Sequence, residues 1–169
     1  MTGGRRGAAD TVAIDADTFR SVMGRFASGV TVLTACDAEG RDHGMTVSAF
    51  CSVSLEPPLV LVCVDHQATL HPILPSVSYF GVNILARDQE AIARRFADRD
   101  ANRFDGVGYV RGRTGVALLE HVLAQLECRV VDRHAAGDHT IVIGEVETAQ
   151  AFAERPLLYY RGGYTELES

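Results

Sequence analysis

The chain has 169 residues, 47% of them hydrophobic, which suits one domain with its own core and excludes a disordered or fibrous protein. Its net charge is −6 and all 16 of its basic residues are arginine; with no lysine, Schiff-base chemistry by a lysine side chain is excluded, and no basic stripe suits a nucleic-acid backbone. No apolar run approaches the roughly 20 residues needed to span a bilayer, and MTGGRRGAAD lacks the apolar region of a signal peptide, so residues 1–14 are read as a loose tail on a cytoplasmic domain of residues 15–169.

Asp15 or Asp17 is a candidate cap for a first helix whose Phe19, Val22, Met23 and Phe26 share one face. Gly29 breaks it, Val30 to Ala35 predicts a β-branched strand, and Asp37 to Gly40 predicts a hairpin turn. The turn leads into HGMTVSAFCSVSLEPP, His43 to Pro58, read as one long strand. Alternation puts Val47, Ala49, Cys51, Val53 and Leu55 on a small, oily face and Thr46, Ser48, Phe50, Ser52 and Ser54 on the other. A solvated face would mix in long charges; short hydroxyls let a ligand approach the backbone, and with the intervening N–H groups they can bind an anion without a lysine. Glu56-Pro57-Pro58 ends the strand, because proline cannot donate to a ladder.

Leu59 to Val64 is apolar throughout and reads as a strand covered on both faces. Asp65 to Thr69 follows as a polar loop, with Thr69 placed to cap a short helical turn before Pro72 and Pro75. Tyr79 to Leu85 is a further strand, and a helix starts at Asp88 or Gln89 with Ile92 and Phe96 on one face. GVGYVRGRTG, Gly106 to Gly115, lacks the G-x-G-x-x-G order and is read as a loop or short strand, not a dinucleotide-binding turn. Ala124 to Val130 alternates cleanly, Ala135 to Asp138 is turn chemistry, and His139 to Val146 returns as the antiparallel partner before PLLYYRGGY closes the chain. Strands with short antiparallel connections so outnumber helices that a closed or nearly closed barrel is expected.

No nucleophile-base-acid set, G-x-S-x-G elbow, H-E-x-x-H or phosphate-cradling G-x-x-x-x-G-K is present, so an enzyme built on this chain would leave the hard chemistry to a cofactor. Cys36, Cys51, Cys63 and Cys128 never pair as Cys-x-x-Cys; Cys63-x-x-His66 with His71 lacks the second half of a zinc site, and the cysteines are read as reduced, buried thiols with no metal. His139 follows a Gly-Asp turn at a barrel rim, and Tyr160 to Gly163 forms a polar cluster with glycine freedom; both suit ligand contact and both suit an ordinary turn.

The ordered set FASGVTVLTA, HGMTVSAFCSVSLEPP, FGVNIL, GDHTIVIGEV and PLLYYRGGY, over roughly residues 17 to 165, resembles the short-chain flavin reductases of two-component flavin-dependent monooxygenases. The resemblance implies a mainly β, FMN-binding split barrel with a few peripheral helices, a homodimer, and reduction of FAD, with FMN possible, by NADH, with NADPH possible. Reduced flavin would then pass to a separate monooxygenase component. The implied mechanism is hydride transfer from nicotinamide C4 to flavin N5 across stacked rings.

Carried onto this chain, Thr46, Val47, Ser48 and Ala49 would lie against the isoalloxazine and ribityl chain, and Ser52, Val53 and Ser54 would continue along the flavin. Cys63, Val64, Asp65, Gln67, Ala68 and Thr69 would reach the ribityl-phosphate end; Met45, Asn83 and Phe96 join the cofactor-binding set. His139 would sit beside the nicotinamide as the catalytic residue, and Tyr160, Arg161 and Gly162 would contact the pyridine nucleotide. Gln67 stands where relatives often carry a lysine, which removes an expected charge contact to the flavin phosphate. A flavin-binding protein without pyridine-nucleotide activity, and a flavoenzyme reducing a small substrate itself, are the alternative readings.

Overall fold

The computed structural model describes residues 13–99 and 102–167. Apart from Ala13 and Ile14, the expected N-terminal tail lies outside the described residues. Helix α1 spans Ala16–Met23, and of its two candidate caps it is Asp15 whose side chain accepts from the Thr18 N–H at 2.8 Å. The strands are β1 (Ser28–Gly29), β2 (Thr31–Cys36), β3 (Asp42–Val47), β4 (Phe50–Leu55), β5 (Pro58–Asp65), β6 (Tyr79–Ile84), β7 (Tyr109–Arg111), β8 (Ala117–Leu119), β9 (Ala124–Ala136), β10 (His139–Ala151), β11 (Leu158–Tyr160) and β12 (Gly163–Thr165). A 3₁₀ turn covers His71–Ser76, and helix α2 covers Glu90–Ala97.

Seven strands form one antiparallel sheet in the order β3-β2-β6-β9-β10-β5-β4, with small sheets β1-β11-β12 and β7-β8 beside it. Strands β3 and β4 are the two ends of that order, yet only Ser48 and Ala49 join them. Three Cα steps reach at most about 11 Å, so the sheet must roll until its ends nearly meet. The link docks on the far end: the Ala49 carbonyl accepts from Cys63 N–H on β5 at 3.0 Å. The result is a split barrel, mainly β, with peripheral helices.

The core has two parts because strand β2, next to the end strand β3, is covered on both faces. Leu33 and Ala35 point into the barrel with Val60, Val62, Val64, Phe80 and Val142, while Val30 and Val32 point outward beneath α2 with Leu85, Ala93, Phe96 and Leu119. Gly44 lets α2 come this close: a Cβ there would sit 2.6 Å from Phe96 Cε1. Asn83, fully buried on β6, donates from Nδ2 to the Val32 carbonyl at 3.1 Å and accepts at Oδ1 from Leu119 N–H at 2.7 Å, tying β8 to the sheet.

Several expectations change. His43 to Leu55 is two strands, because the chain turns between sheet ends at Ser48-Ala49. The expected oily face of β4 is open: Cys51 is exposed, Val53 is 48% exposed and Leu55 91%. The apolar stripe of α1 is open too, with Phe19, Val22, Met23 and Phe26 all at least half exposed and no residue of the helix buried. Strand β5 is not evenly covered: Val60, Val62 and Val64 are buried while Leu59, Leu61 and Cys63 are only half-buried. Thr69 does not cap the 3₁₀ turn, whose N-cap is Leu70. Of the four cysteines only Cys128 is buried, and burial pushes its thiol up to about 12. The β9–β10 hairpin extends well beyond the alternating segments, to Ala136 and Ala151.

Glu127 on β9 anchors the 112–115 loop to this hairpin. Its carboxylate accepts from Arg113 N–H, Thr114 N–H, the Thr114 hydroxyl and the Thr148 hydroxyl at 3.1, 2.7, 2.6 and 2.9 Å. Burial pushes its pKa up, but these four donors outweigh burial and hold the carboxyl below its usual range. The stabilisation is therefore complete above the unfolded pKa of about 4.3 and is lost as pH falls through the lower folded value. Glu127→Gln is expected to cost about 1–3 kcal/mol in urea unfolding at pH 7 and to flatten the acid limb of stability against pH; an unchanged acid limb would remove Glu127 as its source.

Candidate functional site

Three adjoining cavities run along β3. The first, 430 Å³, opens at the start of the strand between Arg41, Asp42, His43 and Phe104 and is closed by Thr69, Arg99 and Arg103. Those last three residues also wall the second, 210 Å³, which holds Met45, Thr46, Asp65, Gln67, Ala68 and the edge of Phe96. Thr46 and Ala97 pass into the third, 200 Å³, lined by Val30, Ser48, Tyr159 and Tyr164. A strand rises about 3.3 Å per residue, so the groove follows some 20 Å of backbone from Asp42 to Ser48. It is cationic at one end and aromatic at the other.

The residues that shape it are set by hydrogen bonds between distant segments. Asp65 ends β5 and folds the 65–71 loop onto itself: its Oδ1 accepts from Gln67 N–H at 2.7 Å and its carbonyl from Ala68 N–H at 3.0 Å. Leu70, fully buried, plugs the loop into the core. Arg103, itself buried, donates from Nη1 to the Gly44 carbonyl and to Thr69 Oγ1 at 2.9 Å, clamping the loop to β3. Thr69 Oγ1 thus serves as acceptor to Arg103, which leaves its hydroxyl able to donate, and the residue lines both the first and second cavities. Arg99 reaches Gln67 Oε1 at 3.5 Å. Thr46 donates to the Ala93 carbonyl of α2 at 2.6 Å and offers only lone pairs to the second and third cavities. Tyr159 and Tyr164 pack edge-to-face, centroids 5.4 Å apart, and Arg94 lies 5.0 Å over Tyr164.

The structure gathers Met45, Thr46, Ser48, Asp65, Gln67, Ala68 and Thr69 of the expected set on this groove. Asn83 is removed from it, since both ends of its buried amide serve the sheet, and the buried side chains of Val47 and Val64 face the core. Phe96 belongs to the second core cluster and only edges the groove. Ala49, Ser52, Val53 and Ser54 lie along the link and the open end strand β4, outside the three cavities, and half-buried Cys63 lies on β5 facing the link. Arg161 and Gly162 line a separate 370 Å³ cavity with Arg20, Ser21, Gly24 and Arg25, and Tyr160 sits beside it, partly exposed.

His139 opens β10 opposite Asp65, one strand from the groove. Its Nδ1 lies 2.7 Å from Asp138 Oδ1, and the hydrogen bond from the imidazole is the largest of the effects that hold the Asp138 carboxyl below its usual range. An ionised carboxylate only accepts, so Nδ1 carries the proton and Nε2 is the free ring nitrogen of a neutral His139. The His66 and His71 rings lie against each other at a tilt of 53° with centroids 4.7 Å apart and share the Thr140 hydroxyl, at 3.3 and 3.1 Å. Arg99, Arg103, Tyr159 and Tyr164 line the groove although sequence reasoning did not single them out, because only the fold brings them to Thr69 and Ser48 from distant parts of the chain.

The Flavin reductase like domain family matches residues 23–168 of this chain. An NADH-dependent flavin reductase of a Rhodococcus species is 45% identical over 151 residues, covering 88% of this chain and 85% of its own. The reductase component of 4-nitrophenol 4-monooxygenase/4-nitrocatechol 2-monooxygenase from Rhodococcus opacus is 42% identical over 151 residues, covering 89% of this chain and 80% of its own. Among solved structures, the Streptomyces globisporus NADH:FAD oxidoreductase SgcE6 in complex with NAD and FAD fragments superposes with a TM-score of 0.87 at 40% identity, covering 91% of this chain and 93% of that one. With that family match and those identities, the chain belongs to the flavin reductase like family and is related to the reductase components of two-component monooxygenases. The activity that family membership supports is flavin reduction at the expense of a nicotinamide nucleotide.

The clamp gives a test of how the site is held. Arg103→Ala removes the donor shared by Gly44 and Thr69 and is expected to cost about 1–3 kcal/mol in chemical denaturation, with the 65–71 loop opening first in hydrogen exchange. Unchanged loop protection would mean that Leu70 alone holds the loop.

Proposed function

We propose that this protein is an NADH-dependent flavin reductase of the cytoplasm that reduces flavin bound along β3 and passes it, reduced, to a partner monooxygenase. The observation that carries the reading is the polarity of the groove in a chain of this family: guanidinium and hydroxyl donors at one end, tyrosines and Val30 at the other. A flavin phosphate fits the donors of Thr69, Arg99 and Arg103, which make up for the missing lysine at Gln67, and a flat heteroaromatic ring fits between Ser48 and the two tyrosines. A flavin held there would supply the redox chemistry, accepting a hydride from NADH and a proton from solvent so that NAD⁺ and reduced flavin leave.

The chain's own residues bind, orient and exclude water. Tyr159, Tyr164 and Val30 would keep solvent from the ring end, Thr46, whose hydroxyl proton goes to Ala93, would accept from a ring N–H, and His139, its tautomer set by Asp138, would offer Nε2 to the nicotinamide nucleotide at the rim beside Asp65. Transfer to a partner agrees with the Rhodococcus opacus relative, which is a monooxygenase reductase component. Pairing of two copies is supported by the open apolar faces of α1 and β4, where Phe26 is 78% and Leu55 91% exposed.

The direct test follows NADH oxidation with FAD, with FMN and without flavin. Oxidation that requires added flavin and saturates in it is expected; no oxidation with either flavin and either nucleotide would leave a flavin-binding protein, and flavin retained through desalting would make it a self-contained flavoenzyme. His139→Ala is expected to lower kcat/KM for NADH at least about tenfold, the loss of roughly one hydrogen bond to a charged group, with flavin affinity retained. Full turnover at an unchanged KM would remove His139 from the reaction. Light scattering at micromolar concentration is expected to give a dimer mass, and a monomer would leave the apolar faces unexplained by self-association.

A further inference from the structure

Two histidines of the 65–71 loop line none of the three cavities along β3. The rings of His66 and His71 nevertheless lie 4.7 Å apart, and both Nε2 atoms close on one atom, Thr140 Oγ1, at 3.3 and 3.1 Å. The fold brings them there from the two ends of the loop. His66 N–H donates to the Asp138 carbonyl and His71 N–H to the Ala68 carbonyl, each at 3.0 Å, and buried Leu70 fixes the backbone between them. Thr140 on β10 is the register partner of Val64 on β5. Neighbours along a strand point to opposite sides, so Thr140 lies on the side of the sheet away from His139 and away from Cys63, the partner of Ile141. The Cys63-x-x-His66 spacing is thereby split, and the pair that the fold assembles is His66 with His71.

Hydrogen bonding alone serves this cluster poorly. A hydroxyl has one proton, so Thr140 donates to one Nε2 and must accept from the other, which holds two adjacent rings to opposite roles. Two imidazole nitrogens aimed at one point are also a chelating pair of the kind that zinc, copper and nickel ions take. We propose that His66 and His71 form a two-imidazole site for a divalent transition-metal ion of the zinc class, which clips the 65–71 loop to β10. The ion lies between the rings, about 2.0–2.1 Å from each Nε2, in place of their bonds to Thr140, and the Thr140 hydroxyl and water complete a tetrahedron. Among the described residues no group of three His, Cys, Asp or Glu side chains is placed to hold a metal, so the ion has only two protein nitrogens. It is exchangeable, unlike the ion of a closed four-ligand structural site. Asp138, held below its usual range chiefly by the His139 hydrogen bond, also responds to charge on His66, and its carboxylate adds attraction for a cation. The clip acts beyond its own residues, because Gln67 and Thr69 of the same loop wall the groove.

Zinc titration of the full chain by calorimetry, after stripping with a chelator, tests the site, with amide hydrogen exchange followed in parallel. One equivalent of Zn²⁺ is expected to bind, to bind less tightly as pH falls because protons compete for the same nitrogens, and to slow exchange across residues 66–71 and at Thr140. His66→Ala and His71→Ala are each expected to weaken binding at least about tenfold. His71→Gln is expected to do the same, since it keeps a hydrogen-bonding side chain near Thr140 but no imidazole. His134→Ala, which removes an exposed imidazole paired with Asp132, and Cys51→Ser, which removes an exposed thiol, are expected to leave binding unchanged. Mg²⁺ is expected not to replace Zn²⁺, because it prefers oxygen ligands. No saturable binding, binding that survives the loss of either loop histidine, or binding lost with Cys51 or His134 would overturn the inference. Zinc that binds without slowing exchange in the loop would overturn the clip. Where a histidine variant fails to fold, the wild-type chain decides. Broadening of amide NMR signals by Cu²⁺ is expected to centre on His66, His71 and Thr140, and broadening centred elsewhere would overturn the site. None of these outcomes depends on flavin, so the reductase reading stands or falls separately.

Discussion

Ser48 and Ala49 impose the constraint on which the rest of the structure depends. They join the two end strands of a seven-stranded sheet with too little chain to span an open one, so the sheet has to roll. Rolling encloses Leu33, Val62, Val82 and Val142 on the inside and turns Val30 and Val32 outward, where α2 must cover them. Covering them brings Phe96 against Gly44 and returns the chain to Arg103, which clamps β3 to the loop beyond β5. The groove along β3 is thus a by-product of closure. Its floor is an end strand, and its walls are the segments drawn in to seal the core.

Electrostatics then give the groove direction. The chain carries more carboxylates than arginines, yet the arginines at the β3 end are arranged so that the nearby carboxylates are already committed. Asp42 is held by Arg111, Asp65 by its own loop, and Asp37 by His43 and Arg41. Asp37 lies below the usual carboxylate range, chiefly through the His43 hydrogen bond and then the Arg41 contacts, against the opposing effect of burial. An anion approaching Thr69 meets guanidinium groups before it meets an unpaired carboxylate. Arginine suits that task because its planar donors match phosphate oxygens, and because it stays charged where a lysine could lose its proton.

Much of this was readable in advance, for identifiable reasons. The hydroxyl-bearing stretch around Thr46 and Ser48 singled out the strand along which the cavities run, because short polar side chains on an alternating segment are a local signature. Asp65 to Thr69 was legible as a loop closing a buried strand, and His139 as a rim residue after a Gly-Asp turn. The failures were non-local. Asn83 is a polar residue on a strand, which looks like a ligand contact until β8 arrives to take its amide. The α1 stripe has the pattern of a buried helix face, but periodicity reports only that residues share a face, not that anything covers it.

By itself the sequence determined the antiparallel strands, a turn within residues 135–138, a helix start at Asp15 or Asp17 and the family to which the chain belongs, because alternation, turn chemistry and ordered motifs are properties of near neighbours along the chain. Only the tertiary structure decided that His43 to Leu55 breaks in two, that Arg99 and Arg103 come to line one cavity with Gln67, and that Tyr159 and Tyr164 close the far end of the groove. Those outcomes join residues dozens of positions apart. They follow from the closure of one sheet over a two-residue link, which no window of sequence contains.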